Sequence, residues 1–291
     1  MVATRTFVVC LLAVLLPASA LAERPARIVS MNLCTDQLLM LLADRERIAS
    51  VSYLSARPDA SAMAQQTEGL HLNHGLAEQI LPLEPDLVIA GTFTTRPTVF
   101  LLRKLGYRVF EMPVASSLDD IRANIRRLAA AIGESARGET LIAAFDNRLA
   151  ALQTSSDEKR PLTALYWANS MTSGKGTLAE AITAAAGLRN LAVELGLAGS
   201  WQLPLETLLA AGPDALVMGR MRKEPALANE TFRHPALQQG FSDRPSLRIE
   251  NRYWICGTPF VAGAVERLAT LSREGRPPAG SNDDSETASE P

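Results

Sequence analysis

Two stretches of this chain repeat one pattern. LAEQILPLEPDLVIAG ends at Gly91, and LPLETLLAAGPDALVMG ends at Gly219, 128 residues later. Each is a leucine-rich helical turn, then Pro-Asp, then an apolar run (Leu87 to Ala90; Ala215 to Met218), then Gly. Proline ends the helix because it has no N–H and clashes with the preceding turn, and Asp suits the turn that follows. An unbroken apolar run of this length reads as a strand buried on both faces, as in a parallel sheet covered by helices. The spacing is far too wide for a solenoid. The pair predicts two similar α/β lobes.

Between the copies, Glu134 to Gln153 reads as one long amphipathic helix. Leu141, Ala144, Phe145, Leu149 and Leu152 recur at spacings of three and four, so they share a face. Such a rod is about 30 Å long, the width of a small domain, and is able to join two lobes. In the first lobe, strands are expected at Ala26–Met31, Arg47–Ser52, Leu87–Ala90 and Tyr107–Glu111. Helices are expected at Asp36–Leu42, capped by Thr35, and at Pro97–Leu105, with a further helix opened by Ser117. Tyr53 to Glu68 reads as a surface loop, and His71 to Gly75 as the lead into the next helix. In the second lobe, strands are expected at Leu162–Trp167, Leu247–Glu250 and Tyr253–Cys256, and helices at Leu178–Ala186 and Val261–Leu271. The alternation implies mainly parallel sheets. The divisions are a first lobe over 23–117, connecting helices over 118–155 and a second lobe over 156–272.

The N-terminus has the form of a targeting segment. Arg5 supplies a basic region, Phe7 to Leu16 an apolar core, and Ala20 or Ala22 a small-residue cleavage site, so 1–22 read as a signal peptide. The apolar run is too short for a comfortable membrane span. Cys10 falls in this segment, which leaves Cys34 and Cys256. They are either bonded, as an oxidising compartment favours, or two separate buried thiols. From 273 to 291 the chain is Gly, Pro, Ser and acid without an apolar stripe, and reads as a disordered tail. A net charge of −2 gives no reason to propose nucleic acid or an anionic membrane as partner.

Motifs of catalysis are missing. Gly174-Lys175-Gly176-Thr177 lacks the first glycine of a phosphate loop, and there is no G-x-S-x-G, C-x-x-C or H-E-x-x-H. His71 and His74 are spaced as a helical metal pair, but His234 is the only other histidine, so solvated loop residues are the preferred reading. Ligands of open α/β sheets gather at the carboxyl ends of strands. Asn32, Tyr53, Phe93, Trp167 and Arg220 all stand at or just past such ends. An aromatic cleft with a few polar groups suits a bulky ligand.

RIVSMNLCTDQLLMLLA, EPDLVIAG followed by LRKLGYRVF, SLDDIRANIRRLAAAIG before the long helix, GKGTLAEAITAAAGLRNLA, LPLETLLAAGPDALVMG and FRHPAL occur in this order. The ordered set resembles the periplasmic binding proteins of ABC importers for iron chelates and vitamin B12, over about Arg27 to Leu271. The resemblance implies two Rossmann-like α/β lobes bridged by a single long α-helix, with the ligand in the cleft between them. It implies no enzyme activity, no catalytic residues and no cofactor. It implies a monomer in the periplasm that hands a metal chelate, a corrinoid or a ferric siderophore, to a permease and ATPase at the inner membrane. Haem, with His71 or Tyr53 as axial ligand, and a zinc or manganese receptor on a similar fold are the rivals.

On the matching loops the resemblance assigns ligand contacts to Asn32, Leu33, Tyr53, Phe93 and Thr94 from the first lobe. From the second it assigns Trp167, Trp201, Arg220, Arg222 and Trp254. Arg220, Arg222 and Lys175 suit an anionic iron complex, and the three tryptophans suit a corrinoid. Family members commonly dock the permease through a surface Glu on each lobe. The second lobe offers Glu224 or Glu230. The matching stretch of the first has no acid and carries Arg96, which leaves Glu68 or Glu78. The NLCTDQ opening and the late CGTP resemble a subgroup with paired cysteines, so a Cys34–Cys256 disulfide that limits opening of the lobes is expected.

Overall fold

The computed structural model describes residues 24–152, 160–219 and 227–274. The expected signal segment and nearly all of the expected tail lie outside them. In chain order the first part contains β1 (Ile28–Ser30), α1 (Leu33–Leu42), β2 (Ile48–Ser52), β3 (His71–Asn73), α2 (Ala77–Ile80), β4 (Leu87–Gly91), α3 (Arg96–Lys104) and β5 (Val109–Met112). Then come α4 (Leu118–Ala131) and α5 (Ser135–Leu152). The second part contains β6 (Leu162–Tyr166), β7 (Met171–Ser173), α6 (Leu178–Ala185), β8 (Arg189–Asn190), α7 (Leu191–Glu194), β9 (Ser200–Gln202), α8 (Leu205–Ala211), β10 (Ala215–Gly219), α9 (Pro235–Gly240), β11 (Ser246–Ile249) and α10 (Ala262–Glu274).

The first sheet has the order β3-β2-β1-β4-β5 and the second β11-β10-β6-β8, and every pairing in both is parallel. The second sheet, read in its own order, repeats β5-β4-β1-β2 of the first. The Pro-Asp strand lies beside the opening strand of its lobe in both. The Asp does more than turn the chain. Asp86 donates its N–H to Arg27 O, and its carboxylate accepts from the N–H groups of Ala26 and Arg27. Asp214 likewise donates to Leu162 O and accepts from Leu162 N at 2.7 Å. In each lobe the motif clamps the start of the opening strand. The residue before each proline, Glu84 or Gly212, is left-handed, at φ 43° and 56°.

Helix α5 begins and ends within a residue of the expected bounds, but its buried stripe differs. Gly138, Ile142, Phe145 and Leu149 are buried, Leu141 and Leu152 are half-buried, and Ala144 faces solvent. The stripe turns because α5 packs against α4 on one side and α10 on the other. One continuous buried cluster takes Ile28, Leu87 and Ile89 from the first sheet and Leu165 and Val217 from the second. It also takes Ile121, Ile125, Phe145, Val265 and Leu268 from these three helices. At the entry to α5, Glu134 is almost fully buried and forms ion pairs with Arg24 and Arg47.

Three other expectations are corrected, and the second lobe adds a ribbon that none foresaw. Asn32, not Thr35, caps α1: its side chain accepts from Cys34 N, and the helix starts two residues before Thr35. His71–Asn73 is an edge strand rather than a loop. Met171–Ser173 and Ser200–Gln202 form a small antiparallel ribbon. Tyr253–Cys256 is not a strand, since the chain there makes a 3₁₀ turn over Asn251–Tyr253 and then bends into α10.

That bend carries Cys256, which is bonded to Cys34 in the first turn of α1, with the Cα atoms 5.1 Å apart. Next to it, a Cβ on Gly257 would lie only 2.3 Å from the Cβ of Ala115, so glycine is required for the two lobes to approach this closely.

Two measurements test these contacts. A Cβ on Gly138 would lie 2.6 Å from that of Ala129 on α4. Gly138→Ala gains about 1 kcal/mol of helix propensity but overpacks at a cost of roughly 1–3 kcal/mol, so a net loss is expected in urea unfolding. The disulfide spans 222 residues, and chain entropy alone gives it roughly 5 kcal/mol. Cys34→Ser with Cys256→Ser is expected to lower stability by about 2–5 kcal/mol, and the denatured, unreduced mature chain to show no free thiol.

Candidate ligand-binding site

The carboxyl ends of both sheets are brought together by the disulfide, because Cys34 follows β1 and Cys256 follows β11. Each lobe then uses the same local device. A Cβ on Gly91, at the end of β4, would come within 3.1 Å of the Asn32 side chain. A Cβ on Gly219, at the end of β10, would come within 3.4 Å of the Trp167 ring. The glycine that closes each Pro-Asp motif thus lets a side chain from the opening strand's exit lie across the sheet end. In the first lobe that side chain is an amide. In the second it is an indole, half-buried, whose Nε1 donates to Ser173 Oγ at 3.0 Å.

The expected contact residues separate by exposure. Phe93 is 85% exposed, Trp201 54% and Tyr53 41%. Tyr53 stacks on His74 with ring centroids 4.5 Å apart. Leu33, Thr94 and Trp254 are buried and offer a ligand almost no surface. Thr94 Oγ1 accepts from Gly91 N, which fixes the loop that holds Phe93. Trp254 packs edge-on against Trp167 at 4.4 Å. Arg220, Arg222 and Glu224 lie outside the described residues. Glu230 is exposed on the 3₁₀ segment Leu227–Arg233, and Glu68, Glu78 and Lys175 are exposed.

His74, Val114 and Ile255 join the exposed residues at these strand ends, and no expectation named them as contacts. His74 follows the edge strand that read as a loop. Ile255 follows the turn that read as a strand. His71 lies on β3 with Nδ1 3.2 Å from Ser50 Oγ, so the two histidines do not share a helix face. Among the described residues no group of three or more His, Cys, Asp or Glu side chains is placed to hold a metal.

Beneath Tyr53 lies a buried polar cluster: Ser30, Thr35, Asp36, Ser50, Ser52, Ser55 and Asn73. Asp36 Oδ2 accepts from Ser52 N at 3.1 Å, Ser52 Oγ at 2.5 Å and Ser55 Oγ at 2.6 Å. Its Oδ1 is buried without a hydrogen-bond partner. Burial pushes the Asp36 carboxyl up to about 6, while the Ser30, Ser52 and Ser55 hydroxyls and Ser52 N–H pull it back. A carboxyl held above its unfolded value adds stability that is complete below about pH 4 and lost as pH rises to about 6. The difference is roughly 3 kcal/mol. Urea unfolding of wild type and Asp36→Asn between pH 4 and 7 is expected to diverge over that window, with the wild type losing ground.

A sequence profile described as periplasmic binding protein matches residues 28–242. A cobalamin-binding protein of Halobacterium salinarum is 27% identical over 206 residues, 69% of this chain and 56% of that protein. The chain thus spans little more than half the length of that curated relative. Among solved structures, the periplasmic heme-binding protein RhuT of Roseiflexus sp. RS-1, in apo form, superposes with a TM-score of 0.69 at 23% identity, over 86% of this chain and 98% of that one. The periplasmic vitamin B12 binding protein BtuF of Vibrio cholerae superposes with a TM-score of 0.65 at 21% identity, over 87% and 98%. These likenesses show the same fold. The profile covers most of the chain, including both Pro-Asp motifs and the helix between them: the chain belongs to the periplasmic binding protein family.

Proposed function

We propose that this chain is the substrate-binding component of an ABC importer. It is exported to the periplasm with loss of residues 1–22, takes a metal chelate between lobes 23–117 and 156–272, and carries it to an inner-membrane permease. The observation that carries this reading is the set of exposed rings at the sheet ends, Tyr53, Phe93 and Trp201. Exposed aromatic faces on a rigid frame bury a large flat ligand at little cost in side-chain entropy. A corrinoid is the favoured ligand, since the exposed faces of Tyr53, Phe93 and Trp201 suit a large flat ligand and a curated relative is named for cobalamin.

Haem is the second reading. The stacked Tyr53 and His74 offer a phenol oxygen and an imidazole nitrogen side by side, and several structural neighbours are named for haem. Glu230 and, from the first lobe, Glu68 or Glu78 are the carboxylates available for docking to a permease.

The test is tryptophan fluorescence of the mature protein titrated with cyanocobalamin, haemin and ferric hydroxamates, corrected for absorption by the coloured ligands. Saturable one-to-one quenching by cyanocobalamin at micromolar concentration or below is expected. Tyr53→Ala and Trp201→Ala are expected to weaken it about tenfold each, which is about 1.4 kcal/mol. Saturation by haemin alone, with a visible spectrum lost in Tyr53→Phe or His74→Ala, would select the second reading. No binding of any of the three rules the proposal out.

A further inference from the structure

Tyr53 follows Ser52, whose hydroxyl donates to the fully buried Asp36 carboxyl. It opens a 3₁₀ turn, Tyr53–Ala56, that continues directly from β2. Within the turn Arg57 N donates to Leu54 O, and Ser52 and Ser55 are buried. Both inward hydroxyls, and the Ser52 N–H, converge on one atom, Asp36 Oδ2. Asp36 belongs to the first turn of α1, and α1 is fixed at its start by the Asn32 cap and the disulfide. The frame therefore runs from the disulfide through α1 and Asp36 to the turn, and from there to the Tyr53 ring and the His74 stacked on it.

We propose that Asp36 is a positioning residue for ligand capture: its buried carboxyl fixes the Ser52–Ser55 turn and so sets the Tyr53–His74 pair toward the cleft. The proposal rests on the ligand-binding reading above and adds to it the residue that preorganises the first-lobe wall.

The chemistry gives the arrangement a direction with pH. An ionised carboxylate accepts more strongly than a neutral carboxyl, by charge assistance. The turn is thus held more firmly once Asp36 has lost its proton, although the unpartnered Oδ1 makes that charge expensive to the fold as a whole. The groups around Asp36 are Ser30 from β1, Thr35 from α1, and Ser52 and Ser55 from β2 and the turn. His71 stands behind Ser50, His74 stands against Tyr53, and Arg57 and Asp59 pair in the next turn. Asp36→Asn retains both histidines, so the difference between wild type and this variant isolates the carboxyl.

Two readouts on the mature protein test the proposal. The first is hydrogen exchange of the ligand-free chain. In Asp36→Ala the 52–57 amides are expected to exchange at least tenfold faster than in wild type, with β4 and β10 unchanged. Ser55→Ala, which leaves the carboxyl in place and keeps the protein testable if Asp36→Ala does not fold, is expected to give a few-fold increase. The second is cyanocobalamin or haemin affinity between pH 5 and 7.5. Wild type is expected to tighten several-fold across this range, and Asp36→Asn to lose that part of the slope. Unchanged exchange in both Asp36→Ala and Ser55→Ala, or in Ser55→Ala alone where Asp36→Ala does not fold, or identical pH profiles for wild type and Asp36→Asn, overturns the proposal. A chain that binds neither ligand overturns the functional reading instead, while the exchange result still decides whether Asp36 holds the turn.

Discussion

Helices α4, α5 and α10 complete the cores of both sheets at once. Apolar burial has no direction, but it fixes geometry when the same side chains serve two partners. Phe145 and Ile142 of α5 lie in one buried cluster with Ile28 of the first sheet and Val217 of the second. The lobes cannot part widely without wetting this shared layer. The Ala115–Gly257 contact, the Glu134 ion pairs and the disulfide all act on a seam that packing has already closed. On the proposed ligand-binding reading, a cleft built on such a seam is largely preformed.

The two Pro-Asp segments made the architecture readable, because buried parallel strands tolerate only apolar residues and each copy punctuates its strand in the same way. The clamping role of Asp86 and Asp214 was less visible, since an Asp after Pro reads equally well as an ordinary turn residue. The cap of α1 was misplaced by three residues because Asn32 and Thr35 are both good caps, and only the backbone decides which one stands outside the helix. His71–Asn73 escaped because an edge strand of polar residues has no apolar signature. Tyr253–Cys256 misled for the opposite reason: its β-formers serve an aromatic contact and a covalent bond, not a sheet.

At the site, position was easier to foresee than orientation. Strand ends named Asn32, Tyr53, Phe93 and Trp167 without a structure. That Trp254 and Thr94 turn inward while Trp201 turns outward depends on neighbours distant in sequence. Asp36 gave no signal at all, because an acid in the first turn of a helix is commonplace on a surface. Its burial follows from where β2 and its turn come to rest. The lobes share the glycine device but differ in what they lay across it, polar in one and aromatic in the other, so a fold that repeats itself still ends its two sheets in unlike surfaces.

The cysteines stand near opposite ends of the folded chain, 222 residues apart. On the proposed export route Cys34 reaches the oxidising side early and Cys256 only when translocation is nearly complete. For most of that passage Cys34 is a lone thiol, open to mispairing with any other chain in transit. On that route the bond would close only once the late segment has returned to the first helix. A chain cut short before Cys256 would leave Cys34 without its partner.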